Sequence, residues 1–339
     1  MHGSEYRQYD QMQHRANQAT QALLLRAAES VPEHKQHKLL VADYGSSVST
    51  SSAQLLAPVV QQLASKAALV SVAHVDLPEN DWQALSEAVQ SCAGSYVHVA
   101  SNVSSQQCAR SFYTQCFPAA TVSLGWSGIA LQWLSASIPQ AGHLCCTPSS
   151  MDSGAISKIK AQAQEDWRVF LAHRATELKP GAHLIVTALC LLPGESTLGQ
   201  ALDQLNSCWR SMAAEGIISM EERDQASVPL YSRSWEEWMQ PFAVAEHPSF
   251  LVLQTALRRV AAPAWARFRE SNNVVQLAAD YAGSMKTCCT RCLQKALSSR
   301  PVEEQQTIMT SLFDRFEGLI ASDPSQSLGD FIILDLVKT

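Results

Sequence analysis

The sequence predicts an α/β fold: a mostly parallel sheet covered by helices, with an inserted α-helical cap. Three observations predict it. Short apolar runs alternate with helical stretches between Leu39 and Leu192. The first two runs end in acids, Asp43 and Asp76, and a loop of small residues follows the first. After Leu192 the alternation gives way to mostly helical signals, until Phe331–Val337 supplies one more strong strand.

The elements follow in order. Gln18–Ser30 places Leu23, Leu24, Ala27 and Ala28 on one helical face. Leu39–Asp43 is a strand, Ser46–Ser52 its loop, and Ala53–Lys66 the next helix. Val70–Val75, Tyr96–Ala100, Thr121–Gly125 and His183–Leu192 are further strands. The helix Ile156–Leu178 carries Trp167, Phe170 and Leu171 at helical spacing, and Pro180-Gly181 stops it. Pro193–Ser196 breaks the chain, and Leu198–Glu215, Trp235–Pro241 and Ala278–Leu297 are helical. Four segments result: an N-terminal arm and helix (1–37), a ligand-binding α/β core (38–192), a mostly helical substrate cap (193–300) and a C-terminal return to the sheet (301–339).

At 339 residues the chain is long for one compact core, which suits a core with a cap. A net charge of −6 argues against nucleic acid, which would need a basic face. No apolar run reaches the ~18 residues of a membrane span. The polar start, Met1 to Arg7, has no signal-peptide core. The expectation is a soluble cytoplasmic protein whose ten cysteines are mostly buried, reduced thiols. Cys289 and Cys292 have C-x-x-C spacing without a second ligand pair, so no metal is expected. His14, His74, His98 and His143 lack ligand spacing and read as structural or surface residues.

The loop after Asp43 has neither the three glycines of a dinucleotide fingerprint nor a Gly-Lys-Ser/Thr. A pyrophosphate cradle is therefore disfavoured, and so is a nicotinamide oxidoreductase. An acid at the end of the second strand is still well placed to accept ribose hydroxyls. A ribose-bearing ligand without phosphates fits best, and S-adenosylmethionine (SAM) is the commonest.

Several motifs together resemble the carboxyl methyltransferases of the SABATH family. Asp43-Tyr44-Gly45-Ser46-Ser47-Val48-Ser49-Thr50-Ser51 is similar to Asp-x-Gly-x-Ser-x-Gly-x-Asn, with Ser49 and Ser51 departing from it. Asp76-Leu77-Pro78-Glu79-Asn80-Asp81-Trp82 is similar to Asp-Leu-Pro-x-Asn-Asp-Phe. Ser111-Phe112-Tyr113 with Phe117-Pro118, and Ser127 to Ser135 with Leu131, Trp133 and Leu134, resemble two more. Glu177-Leu178-Lys179-Pro180-Gly181 and Pro229-x-Tyr231-x-x-Ser234 resemble the turn before the fifth strand and a cap segment. Tyr6 and Gln13 match the N-terminal motif, and Asp10 stands where that motif has Ser.

The resemblance implies a Rossmann-like class I methyltransferase core with a seven-stranded sheet, an N-terminal arm that closes over the active site, SAM as cofactor, a small carboxylic acid as substrate and a homodimer. It implies that Asp76 holds the ribose, Leu77 and Phe112 sandwich adenine, and Ser111 bonds an adenine nitrogen. Asp43 and Gly45 would approach the methionine moiety, Asp10 its ammonium, and Ser51 and Ser127 belong to the same cofactor site. Gln13 and Trp133 would clamp the acid's carboxylate through neutral N–H donors, leaving the oxygen nucleophilic. Tyr6, Trp126, Ile129, Gln132 and Tyr231 would shape the acyl pocket. Two alternatives stand beside ester formation: N-methylation of a small heteroaromatic, and a catalytically weak SAM-binding or interaction protein.

Overall fold

The computed structural model describes residues 11–48, 50–147, 151–192, 197–243 and 249–339, apart from the side chains of Gln11, Gln13, His34, Lys35, Thr197 and Leu198. Two helices, α1 (Gln11–Gln18) and α2 (Gln21–Ser30), precede β1 (His34–Tyr44). The alternating half continues with α3 (Thr50–Ala64), β2 (Ala67–Asp76), α4 (Trp82–Ser91), β3 (Val103–Ala109), β4 (Val122–Gly128), α5 (Ser153–Glu177) and β5 (Leu178–Leu191). Then come α6 (Thr197–Ala214), α7 (Met220–Gln225), β6 (Arg233–Ser234), α8 (Trp235–Ala243) and β7 (Phe250–Ala261). The chain closes with α9 (Pro263–Ser271), α10 (Val274–Ala296), α11 (Val302–Ser322) and β8 (Leu328–Lys338).

The sheet runs β3-β2-β1-β4-β5-β8-β7, and the two-residue β6 pairs with β5. Neighbours from β3 to β5 are parallel, while β8 is antiparallel to both β5 and β7. The order reverses between β1 and β4, and the crevice beyond that reversal is where such sheets bind ligands. Both faces are covered. Leu24, Leu56, Val60, Val41 and Val72 join one core, and Trp167, Phe170, Ala42, Leu184 and Leu334 join the other. Burial on both faces explains why β1 reads as the continuous apolar run Leu39–Ala42. A third core, including Trp209, Leu293, Leu312 and Phe316, unites α6, α10 and α11 as the cap.

Four expectations change. The predicted strand Tyr96–Ala100 is a 3₁₀ turn, Tyr96–His98, and the strand lies later, at β3. Tyr96 carries apolar bulk because its ring is fully buried, whereas β3 is a polar edge strand with alternating exposure. Phe250–Ala261, which the sequence places in the helical cap, forms the sheet's outer strand; Leu251 and Leu253 are 56% and 52% exposed there. Pro180-Gly181 does not stop α5: the chain passes straight into β5 at Leu178, and Gly181 takes φ +76 near a register shift against β4. Residues 302–322, expected in the return to the sheet, form α11 against the cap before β8 begins.

Candidate active site

At the reversal β1 ends in Asp43 and Tyr44, and Gly45 turns the chain with φ +87. A Cβ at Gly45 would lie 2.2 Å from the Ala130 Cβ and 3.4 Å from Phe112, so only glycine fits. The N–H groups of Gly45 and Ser46 donate to the Val75 carbonyl at 2.8 and 3.2 Å, tying the loop to the end of β2. Ser47 has φ 51, outside the regions L-residues prefer. Two side chains grip it. Its N–H donates to Asp76 Oδ2 at 2.7 Å, and its carbonyl accepts from Asn80 Nδ2 at 3.1 Å. Asp76 Oδ1 accepts the Leu77 N–H at 2.8 Å. Asp81 caps α4 by accepting the Ala84 N–H at 3.0 Å. The Asp-x-x-x-Asn-Asp spacing thus builds a loop clasp and a helix start together. Asn80 carried no assigned role in the sequence reading.

Burial pushes the Asp76 carboxyl above its ordinary range, and the Ser47 and Leu77 N–H groups pull it back. Leu77 is 45% exposed beside it, a free apolar surface at the crevice rim. Phe112 lies across the loop, with its ring 4.7 Å from Tyr113 and 6.0 Å from Phe170. Ser111 Oγ accepts the Tyr113 N–H at 3.2 Å within the same turn.

Asp43 faces inward. Its Oδ2 lies 2.9 Å from His74 Nδ1, and His74 Nε2 lies 2.7 Å from the Tyr96 hydroxyl. Asp43, His74 and Tyr96 are all buried. His74 is therefore a structural partner of the first-motif acid, and cross-strand pairing of Asp43 with His74 brings them together. Ser127 Oγ donates to the Tyr44 carbonyl at 3.0 Å and is fully buried, so its hydroxyl is engaged in holding β4 to β1. Ser51 lies 3.1 Å from His14 Nδ1, joining α1 to the start of α3.

Beyond β4 the chain crosses from core to cap. Ile129 has φ 56, a strained value for a β-branched residue, and its N–H donates to the Thr187 carbonyl at 2.7 Å. Ala130 closes on Gly45. Ile129, Gln132 and Trp133 then line a cavity of about 180 Å³ between core and cap. Met12, Leu202 and Phe331 add to its mainly apolar wall. Arg267 and Asp280 lie on the same wall, paired at 2.7 Å. Gln132 Nε2 donates to the Ile129 carbonyl at 2.7 Å, and its buried Oε1 has no partner among the described residues. The main chain of Trp133 is fixed by an antiparallel bridge to Leu230 and by the Tyr113 hydroxyl, which donates to its carbonyl at 2.7 Å.

The structure therefore gathers Gly45, Asp76, Leu77, Ser111 and Phe112 on the core side, and Ile129, Gln132 and Trp133 on the cap side. Two of the acyl-pocket candidates lie apart from the cavity. The buried Trp126 packs its ring over Gly128. Tyr231 donates to Glu237 at 2.9 Å inside a small cluster with Leu134 and Ile159. Gln13 belongs to α1, next to the cavity-lining Met12, but its side chain lies outside the described residues. Tyr6, Asp10 and Ser49 lie outside them altogether.

Two buried arginines support this framework, and sequence reasoning missed both. Arg174 donates to the Phe112 and Thr114 carbonyls at 2.7 and 2.9 Å and pairs with Glu177 at 2.8 Å. Arg233 donates to the Leu131 carbonyl at 2.5 Å and to the Ala163 carbonyl at 2.6 Å. No local pattern signals either one, because the main-chain carbonyls they hold lie 60 to 102 positions away.

The family described as SAM dependent carboxyl methyltransferase matches residues 2–334. A benzoic acid/salicylic acid carboxyl methyltransferase of Petunia hybrida is 26% identical over 241 residues, covering 67% of this chain and 62% of its own. A probable SAM-dependent methyltransferase of Arabidopsis thaliana is 30% identical over 142 residues, covering 38% and 39%. The chain thus spans less than two thirds of the length of these two relatives. The solved structure of a loganic acid methyltransferase with SAH superposes with a TM-score of 0.77 at 18% identity, covering 98% of this chain and 96% of that one. This last likeness concerns the fold.

Proposed function

This chain belongs to the SAM-dependent carboxyl methyltransferases, the SABATH family, and from that membership we propose that it forms the methyl ester of a small carboxylic acid. One observation carries the proposal. The segment Ala130–Trp133 touches Gly45 at its start and lines the apolar cavity with its Gln132 and Trp133, so cofactor end and acid end meet along four residues.

The core side fits SAM. The space beside Gly45 admits no side chain, Asp76 keeps an unused lone pair on each oxygen for ribose hydroxyls, and Leu77 and Phe112 offer apolar faces for adenine. SAM supplies an electrophilic methyl on a sulfonium. The acid is already ionised near neutral pH and needs no strong base. The protein's task is to hold one carboxylate oxygen about 3 Å from the methyl carbon, in line, and to exclude water. The apolar cavity wall provides the exclusion. Trp133, through its indole N–H, and Gln13 on α1 are the proposed clamp. Both are neutral donors, so they orient the carboxylate without neutralising it. The homodimer and cytoplasmic location belong to the same proposal.

Calorimetry with SAM, followed by mass spectrometry of reactions with benzoate, salicylate, hexanoate and indole-3-acetate, tests it. Methyl esters are the expected product. SAM binding without turnover of any acid would reject ester formation. A second reading has one observation in its favour: Gln132 Oε1, without a partner among the described residues, would accept a hydrogen bond from a ring N–H. Methylation of xanthine or imidazole in the same panel, with the acids inert, would select it.

A further inference from the structure

Tyr113 stands between the two halves of the site. Its ring lies 4.7 Å from Phe112, the proposed adenine neighbour, and is 9% exposed. Its hydroxyl donates to the Trp133 carbonyl at 2.7 Å, twenty residues away. The loop that carries it is firmly held from behind. Arg174 fixes the Phe112 and Thr114 carbonyls, and Glu177 Oε1 accepts the N–H groups of Cys116 and Phe117 at 2.5 and 3.2 Å. Arg174 and Glu177 are fully buried. On the other side Arg233 donates to the Leu131 carbonyl at 2.5 Å, two residues before Trp133.

We infer that Tyr113 is a positioning residue that transmits the order of the adenine-side loop to the acid clamp. The inference rests on the ester-forming reading for its acid, but its geometry does not. Phe112 and Tyr113 are adjacent, so cofactor contact with Phe112 restrains the tyrosine's backbone. The hydroxyl passes that restraint to the Trp133 carbonyl, and the Leu230 bridge holds the other edge of the same residue. An indole used as a hydrogen-bond donor needs its main chain fixed, because its N–H has one direction. Bound cofactor therefore stiffens the clamp before the acid arrives, and acid affinity rises when the cofactor site is filled.

Tyr113→Phe is the test, since it removes one oxygen and keeps the packing. The KM for the fastest acid of the panel should rise about 2- to 10-fold, the size of one lost hydrogen bond, while the Kd for SAH stays unchanged. The ratio of acid Kd without and with saturating SAH should fall toward one. An equal rise in the KM for acid and the Kd for SAH would show mere loosening and overturn the inference. Amide hydrogen exchange gives a readout that needs no acid. SAH should slow exchange across residues 130–134 in the wild type and much less in Y113F. Equal protection in both proteins would overturn the inference even if ester formation is confirmed. Loss of protection in Y113F would support it even if every acid in the panel proves inert.

Discussion

Replacing Asp76 with alanine should nearly abolish SAM binding, and the structure sets the scale. Each carboxylate oxygen already accepts one backbone N–H, from Ser47 at 2.7 Å and Leu77 at 2.8 Å. Each keeps a lone pair for a ribose hydroxyl. Two hydrogen bonds to a charged acceptor contribute roughly 1.5–3 kcal/mol apiece and less than their sum together, so the loss is about 2–4 kcal/mol, or roughly 30- to 900-fold in Kd. Part of that would come from the loop, because alanine also frees the Ser47 N–H. Asn80→Ala isolates this part: it removes only the grip on the Ser47 carbonyl, and should weaken SAM by about tenfold at most. Calorimetry on both variants, with thermal melts to confirm folding, separates the two. The pH dependence has a defined sign. Burial raises the Asp76 carboxyl, the acceptor is lost on protonation, and so SAM affinity falls as pH drops through that raised range. A folded Asp76→Ala protein with wild-type SAM affinity would refute the assignment of the ribose site.

Three further outcomes follow from the geometry. Gly45→Ala should destabilise the protein by about 1–3 kcal/mol in chemical denaturation and weaken SAM binding, because the left-handed φ and the Ala130 contact both oppose a Cβ; wild-type stability would contradict the packing. Trp133→Ala should lower kcat/KM for the acid about 10- to 1000-fold with SAM affinity unchanged, and the wild-type rate should stay flat with pH above the acid's own pKa; a steep rise near pH 7 would reveal a general base instead. The hydrogen bond from Cys116 lowers the Cys108 thiol to about 7, so iodoacetamide should label Cys108 increasingly as pH rises through that value, and bound SAH should slow the labelling by ordering the adjacent loop; labelling confined to pH above 9 would reject the shift.

What was legible in the sequence follows burial. β1 and β2 announced themselves because both faces are covered, which forces unbroken apolar runs. β3 did not. It lies at the sheet edge, so Ser104 to Gln107 face water or polar neighbours, and no hydrophobic period survives. The nearby apolar residues Tyr96 and Val97 attracted the strand assignment instead, although they serve the core as a 3₁₀ turn. β7 was also an edge. Phe250-Leu251-Val252-Leu253 is a strand-forming run, yet it sits among helices in sequence and reaches the sheet only by pairing with β8, some 80 residues later.

The site divides along the same physical line. Gly45 and the Asp76-Leu77 pair each sit in a tight turn at a strand end, so a short motif records each, although Asp76 reaches Ser47 29 positions away and Gly45 packs against Ala130. The groups behind them act across the fold. Arg174 serves a loop sixty positions earlier, Arg233 a carbonyl 102 positions away, and His74 an acid on the neighbouring strand. Such pairings leave no period or spacing. The same reasoning gives a physical setting to Ser51, which departs from the motif that the loop resembles. Its hydroxyl meets His14 from α1, 37 positions upstream, so the start of α3 is tied to α1 and, through the neighbouring Met12, to the cavity wall. A departure from a local motif can thus be met by a distant partner. Its effect on cofactor binding therefore depends on the joint contact rather than on the single position, and the double variant Ser51→Asn with His14→Ala should differ from the sum of the two single variants in SAM affinity.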